Sequence, residues 1–190
     1  MTTVFFDVDT QLDFLYPAGA LYVAGAEEIV PTLAKLTEFA AARKIQIIST
    51  ADAHLEDDAE FKVWKPHCVA GTFGQQKEAV TRLAGTSVLG PATPLSAPQI
   101  IVQKRALDAF SNPHLSPLLD ALRADRYVLY GVVTELCVRS AADGLLRTGA
   151  RVELVTDGIK SLSKSDEESF FRDFQVRGGI LASSASVLNG

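Results

Sequence analysis

An α/β fold of three layers, with helices on both faces of a mostly parallel sheet of about six strands, is predicted by three observations. Apolar β-rich runs alternate with helix-period segments along the 190 residues. The first such run is apolar almost throughout, as in strands buried on both faces of a parallel sheet. Acids, a histidine, a lysine and a cysteine stand where the runs end, the rim at which such sheets bind ligands.

Residues 3–8 (TVFFDV) form the first strand, and Asp7, Asp9 and Asp13 cluster at its end. Pro17, Gly19 and Gly25 then mark a loop. Residues 26–43 carry Ile29, Val30, Leu33, Leu36, Phe39 and Ala40 on a helical stripe, with Pro31 tolerated in the first turn. Residues 45–49 (IQIIS) are the second strand. Residues 50–76 show no period but concentrate His54, Trp64, His67, Cys68 and several acids. A loop of this length in a compact domain is usually functional or disordered, and its histidine and aromatic content favours function.

Residues 77–83 predict a short helix, residues 87–89 a short strand and residues 100–103 a further strand, with Pro91, Pro94 and Pro98 between the last two. Asn112-Pro113 reads as the N-cap and first residue of a helix through Leu115, Leu118, Leu119 and Leu122. Then come a strand at 127–130, a helix at 140–147, a strand at 152–156 and a turn at Asp157-Gly158. Ser165-x-x-Glu168 matches a capping box before a helix carrying Phe170, Phe171 and Phe174, and residues 185–188 predict a last edge strand. The whole reads as a single domain, residues 1–190, with no internal repeat or linker.

Composition excludes several classes. Apolar residues make up 47% and charged residues 22%, too apolar for a disordered chain. The net charge of −5 comes without any basic stripe, so nucleic acid is not an expected partner. No apolar run spans a bilayer, and Met1-Thr2-Thr3 leads into a strand rather than a signal peptide, so no membrane is expected. Two cysteines, Cys68 and Cys137, make no disulfide framework, and a cytoplasmic location is the simplest reading. A homo-oligomer is left open.

Gly131-Val132-Val133-Thr134-Glu135-Leu136-Cys137-Val138-Arg139 joins a strand to a helix. At a helix N-terminus free N–H groups and the dipole favour a thiolate, so Cys137 is a candidate nucleophile as well as a small core residue. Asp9 could take the thiol proton and return it to a leaving amine, and Lys104 would hold the ion pair. The N–H of Cys137 and the turn at 131–134 could stabilise an oxyanion. Asp52-x-His54, Glu60 and His67 form a second constellation whose donor types suit zinc, iron or manganese, although Asp-x-His pairs also occur in ordinary polar loops. Phe14 and Trp64 could sandwich a flat ring or cap the core beneath a loop. His114, at a helix start, reads as structural or exposed, and Cys68 as a buried thiol.

These segments resemble the isochorismatase-like cysteine hydrolases, and within them the nicotinamidases, over nearly the whole chain. Asp9-Thr10-Gln11-Leu12-Asp13-Phe14 is similar to the family's D-x-Q-x-D-F segment, Lys104 with Asp108-Ala109-Phe110 to its lysine segment, and 131–138 to its G-x-x-T-x-x-C-V segment. The resemblance implies a Rossmann-like topology and a catalytic triad of Asp9, Lys104 and Cys137. It also implies a cis peptide between Val132 and Val133, with an oxyanion hole from the N–H groups of Val133 and Cys137. Asp52-Ala53-His54 and the segment from Trp64 to Thr72 look like the nicotinamidase D-x-H and W-x-P-H-C-x-x-G-T segments. They imply one divalent metal ion, zinc first with iron or manganese as alternatives, on Asp52, His54 and His67, with Glu60 at the position of a fourth ligand. Phe14 and Trp64 would hold the ring of a small-molecule amide, nicotinamide. Lys65 stands where proline is common, and Arg105 where glycine often follows the lysine. Two other readings are a related hydrolase acting on another amide, carbamoyl compound or ester, and a non-catalytic metal- or ligand-binding member.

Overall fold

The computed structural model describes residues 1–190. β1 (Thr3–Val8) is the centre of a seven-stranded sheet, between β2 (Gln46–Asp52) and β5 (Arg126–Val132). β4 (Gln99–Lys104) and β3 (Ser87–Val88) extend it beyond β2, and β6 (Arg151–Lys160) and β7 (Ile180–Ala182) beyond β5. Every adjacent pair is parallel. No helix is long and apolar enough to cross a membrane.

Strand periodicity divides the core in two. Val4, Phe6 and Val8 of β1 join one cluster with Leu115, Leu118 and Leu119 of α3 (Leu115–Leu122), Ala141 and Leu145 of α4 (Arg139–Leu146) and Phe170 and Phe174 of α5 (Lys164–Val176). Phe5 points the other way, into a cluster with Leu33, Leu36 and Ala40 of α2 (Val30–Ala42), Phe14 and Leu15 of α1 (Leu12–Leu15) and Val187 of α6 (Ser184–Leu188). Helices therefore cover both faces, which is the predicted three-layer arrangement.

The differences from the sequence reading have local causes. The sheet has seven strands rather than about six, because both edges carry very short ones, β3 and β7. Residues 185–188 are helical, not an edge strand: Ser183 and Ser186 cap each other reciprocally, and the strand is the preceding Ile180–Ala182. Asp157-Gly158 makes no chain reversal. β6 runs through it, and its pairing slips, with Leu129 opposite Leu154 but Gly131 opposite Ile159, so the turn residues sit in a bulge. The cap of α5 is Ser163, which accepts from the Asp166 N–H, rather than Ser165. Asn112 is not the cap of α3, which begins only at Leu115 after an N-cap at His114; its side-chain oxygen instead accepts from the His114 N–H in the preceding turn. The predicted helix at 77–83 is reduced to a single 3₁₀ turn, Ala79–Thr81.

Gly131 sets how closely β1 and β5 approach at the rim. Its φ is +122°, and a Cβ there would lie 2.1 Å from the Val8 carbonyl oxygen. Gly131→Ala is therefore expected to cost about 2–5 kcal/mol, from backbone strain plus overpacking. Chemical denaturation checks this, and an alanine variant as stable as the parent would contradict it.

Candidate active site

Parallel pairing brings the chemistry-bearing residues to one rim. Asp9 is the first residue after β1, with φ +49°. Asp52 and Lys104 end β2 and β4 and lie opposite each other in the ladder. Cys137 lies in a turn of π-helix, Thr134–Val138, between β5 and α4.

Lys104 is the hub. Its Nζ lies 2.9 Å from Asp9 Oδ2, 2.5 Å from Asp52 Oδ1 and 3.7 Å from Cys137 Sγ. The Asp9 and Lys104 side chains are each only 1% exposed, so their charges interact with little screening from water. Thr50 Oγ1 donates to Asp9 Oδ1 at 2.6 Å, a support absent from the sequence reading. Asp9 Oδ2 is close to the ammonium but has no aligned donor, which leaves it free to accept a proton.

Burial governs the titration of these groups. It raises Asp9 above the usual carboxylate range, against the lowering influence of Lys104. It also pushes the Cys137 thiol well up, with Lys104 opposing and Asp9 and Asp52 adding to the rise. The expected thiolate is thus corrected: desolvation outweighs the helix terminus, and Cys137 rests as a thiol beside a base. For Lys104, burial works against the charge, but the carboxylates of Asp9 and Asp52 overcome it and hold the ammonium. Asp52 shows the converse balance: Lys104 and both histidines overcome burial and keep it well below the ordinary range.

The Val132–Val133 peptide is cis. The Val133 carbonyl accepts from the N–H groups of Leu136 and Val138, while the Val133 N–H donates to no other group of the chain. Thr134 Oγ1, in the same turn, is buried and unpartnered.

Ligand atoms of Asp52, His54 and His67 lie within 4.8 Å of one another, and all three residues are buried. Asp58 Oδ2 faces His54 Nδ1 at 3.1 Å while accepting from the Leu55 N–H and Arg105 Nε. An ionised carboxylate can only accept, so His54 carries its proton on Nδ1. The Lys65 carbonyl, 2.7 Å from His67 Nδ1, puts the proton there too. Both Nε2 lone pairs then point toward Asp52 Oδ2, from 3.8 Å and 3.7 Å. His54 Nε2 is buried with no partner in the chain. Two imidazole nitrogens and a carboxylate oxygen converging around an orphaned buried nitrogen fit a divalent cation. The Glu60 carboxylate lies outside this group of atoms, on the wall of the adjoining cavity. Burial raises its pKa and the charge of Asp52 raises it further.

That cavity, about 90 Å³, joins the two halves. Phe14, Trp64, Glu60 and His67 line it together with Asp52, Val133 and Cys137, and Leu107, Leu136 and Leu162 complete an apolar wall. Every site residue expected from the sequence is thus on this rim or cavity except His54, which stands behind His67 with its ring 4.8 Å away. Sequence reasoning missed Phe61, whose ring packs on both histidines at 5.1 Å and 5.6 Å. It also missed Gln11, which grips the backbone N–H and carbonyl of Asp52. Asp13 is structural, accepting from the N–H groups of Ala20 and Cys68.

The Isochorismatase domain family matches residues 3–186. A nicotinamidase/pyrazinamidase of Mycobacterium tuberculosis is 28% identical over 167 residues, 79% of this chain and 82% of that protein. A nicotinamidase of Acinetobacter baylyi is 27% identical, covering 82% and 79%. The crystal structure of a pyrazinamidase of Pyrococcus horikoshii in complex with zinc superposes with a TM-score of 0.83 at 27% identity, covering 96% of this chain and 99% of that one.

Proposed function

The chain belongs to the isochorismatase family of hydrolases, and we propose that within it the protein is a metal-dependent amidohydrolase converting nicotinamide to nicotinate and ammonia. The observation that carries this reading is the sharing of Asp52: one carboxylate oxygen contacts Lys104 and the other faces the two histidine Nε2 atoms. A carboxamide held by that cluster would lie in the same small apolar cavity as Cys137.

In this mechanism Asp9 Oδ2 takes the thiol proton as Cys137 Sγ bonds to the amide carbon. The N–H groups of Val133 and Cys137 receive the developing oxyanion. The C–N bond then breaks as Asp9 returns the proton to nitrogen, releasing ammonia and leaving a thioester. Water attacks that carbon as Asp9 takes its proton, the C–S bond breaks as Asp9 returns that proton to sulfur, restoring the thiol, and the released acid ionises to nicotinate. Lys104 stays charged throughout, and its ammonium opposes the rise that burial imposes on Asp9. Asp52, His54 and His67, with Glu60 beside them, would hold a divalent ion, zinc first and iron or manganese as alternatives. When bound, that ion supplies a Lewis-acidic anchor for the pyridine nitrogen. Phe14 and Trp64 flank the ring. The small apolar cavity selects a small neutral substrate, with neither nucleic acid nor membrane as partner, in a cytoplasmic setting where both cysteines stay reduced.

Ammonia release from nicotinamide, a carbamoylated amine and an aliphatic amide, with metal content measured alongside, tests the reading. Turnover of nicotinamide, lost with a chelator and restored by zinc, is expected. Release only from another amide would refute the substrate, and full turnover by metal-free protein would refute the metal.

A further inference from the structure

Resting on the metal reading above, we propose that Asp58 and Arg105 form an outer brace that fixes the His54 ring and thereby sets how tightly the metal is held. Each contact in the chain of residues is specific. Arg105 meets Asp58 in a two-point fork, Nε to Oδ2 at 2.9 Å and NH2 to Oδ1 at 2.7 Å. Asp58 Oδ2 also takes the Leu55 N–H and faces His54 Nδ1, both at 3.1 Å. The Asp58 side chain is 8% exposed and the His54 ring not at all.

The rest of the surroundings restrain the ring but do not choose its proton. The backbone of His54 is paired with Cys68 and Ala70, and Phe61 packs against the ring. Neither contact distinguishes Nδ1 from Nε2, and Asp52 Oδ2, which faces Nε2, lies 3.8 Å away, beyond hydrogen-bond reach. Asp58 distinguishes them, because a carboxylate already receiving three protons can only accept from Nδ1, which leaves the Nε2 lone pair for a cation. Arg105 holds both Asp58 oxygens, so rotation of the carboxylate away from the ring would break both contacts of the fork.

Arg105 follows Lys104 directly. The two consecutive cations act differently: Lys104 bridges Asp9, Cys137 and the Asp52 carboxylate, while Arg105 acts on the histidine side through Asp58. The residue that departs from the glycine common after the lysine thus has a role in this chain. Asp58 and Arg105 are positioning residues, touching neither cation nor substrate.

The test uses purified metal-stripped protein and Zn²⁺ alone in competition with a chromophoric chelator, together with ¹⁵N NMR of the three histidines at mildly alkaline pH. Asp58→Ala is expected to weaken zinc binding by about 10–100-fold and to give His54 a mixture of tautomers. Asp58→Asn keeps an acceptor without the charge, so it recovers part of the affinity and restores the Nδ1–H form. Arg105→Ala falls between Asp58→Asn and the parent. A loss below tenfold in Asp58→Ala, or equal losses in Asp58→Ala and Asp58→Asn, overturns the brace, since a merely structural role would not follow acceptor strength. A parent protein that binds no zinc instead overturns the metal reading. The brace is then decided by the tautomer alone, and an unchanged Nδ1–H signal in Asp58→Ala overturns it.

Discussion

Cys137→Ala is expected to lower nicotinamide turnover by roughly 10⁴–10⁶-fold, the scale on which removing the nucleophile of a covalent hydrolase acts. The loss should fall on kcat, because the cavity walls and the Asp52–His54–His67 cluster remain to bind ring and metal. Zinc content and thermal stability should stay near the parent's, since Cys137 is a small side chain at the edge of the core. Cys68 is the internal control. It is fully buried, and burial and nearby carboxylates push its thiol far up. Cys68→Ala should therefore keep turnover within about tenfold of the parent, as no step uses that sulfur. Steady-state ammonia release measures both variants, and comparable activity in Cys137→Ala would remove the nucleophile from the account.

Lys104→Met should act on stability as much as on rate. It leaves Asp9 and Asp52 buried with their shared cation gone, and breaking a buried ion pair by removing one partner costs about 3–5 kcal/mol. At this chain length that is a fall of roughly 6–20 °C in melting temperature. Lys104 lowers both carboxyls in the parent, so its loss raises them in the folded state. A carboxyl raised above its unfolded value stabilises below the unfolded pKa and loses that contribution as pH rises through the folded one. The variant's deficit should therefore grow between pH 5 and pH 8, and bound zinc should reduce it by neutralising Asp52. Turnover near neutrality should fall at least about 100-fold, because Asp9 would hold its proton and no longer act as base. Thermal melts at the two pH values check the first part, and an equal deficit at both would contradict it.

The residues carrying this chemistry were legible because each ends a strand whose apolar run is visible in the sequence, and parallel pairing gathers strand ends onto one rim. Asp9, Asp52, Lys104 and Cys137 all follow that rule. Thr50 and Arg105 did not stand out for another reason: each acts across the fold, Arg105 on a residue 47 positions away and Thr50 on one 41 positions away, whereas Asp58 and Phe61 lie close in sequence to the histidines they touch but in a loop without a period. No local period or spacing marks such partners. The helix start before α4 gave the wrong sign for the Cys137 thiol, because a local rule about helix ends could not register burial beside two carboxylates. The edge strand β3 falls where residues 87–89 were read, but β7 was misplaced for the opposite reason. Two or three residues are too few to show alternation, and in residues 183–186 serine capping overrode the apolar pair that followed.

A covalent intermediate on Cys137 is open to direct observation in a single-turnover reaction, with zinc-loaded protein in excess over nicotinamide, acid-quenched at successive times and peptide-mapped. Ammonia should appear ahead of nicotinate, with a nicotinoyl group rising and falling on the peptide containing Cys137 and absent from that containing Cys68. Nicotinate formed with no adduct on Cys137 at any time, or with one on Cys68, would contradict the account.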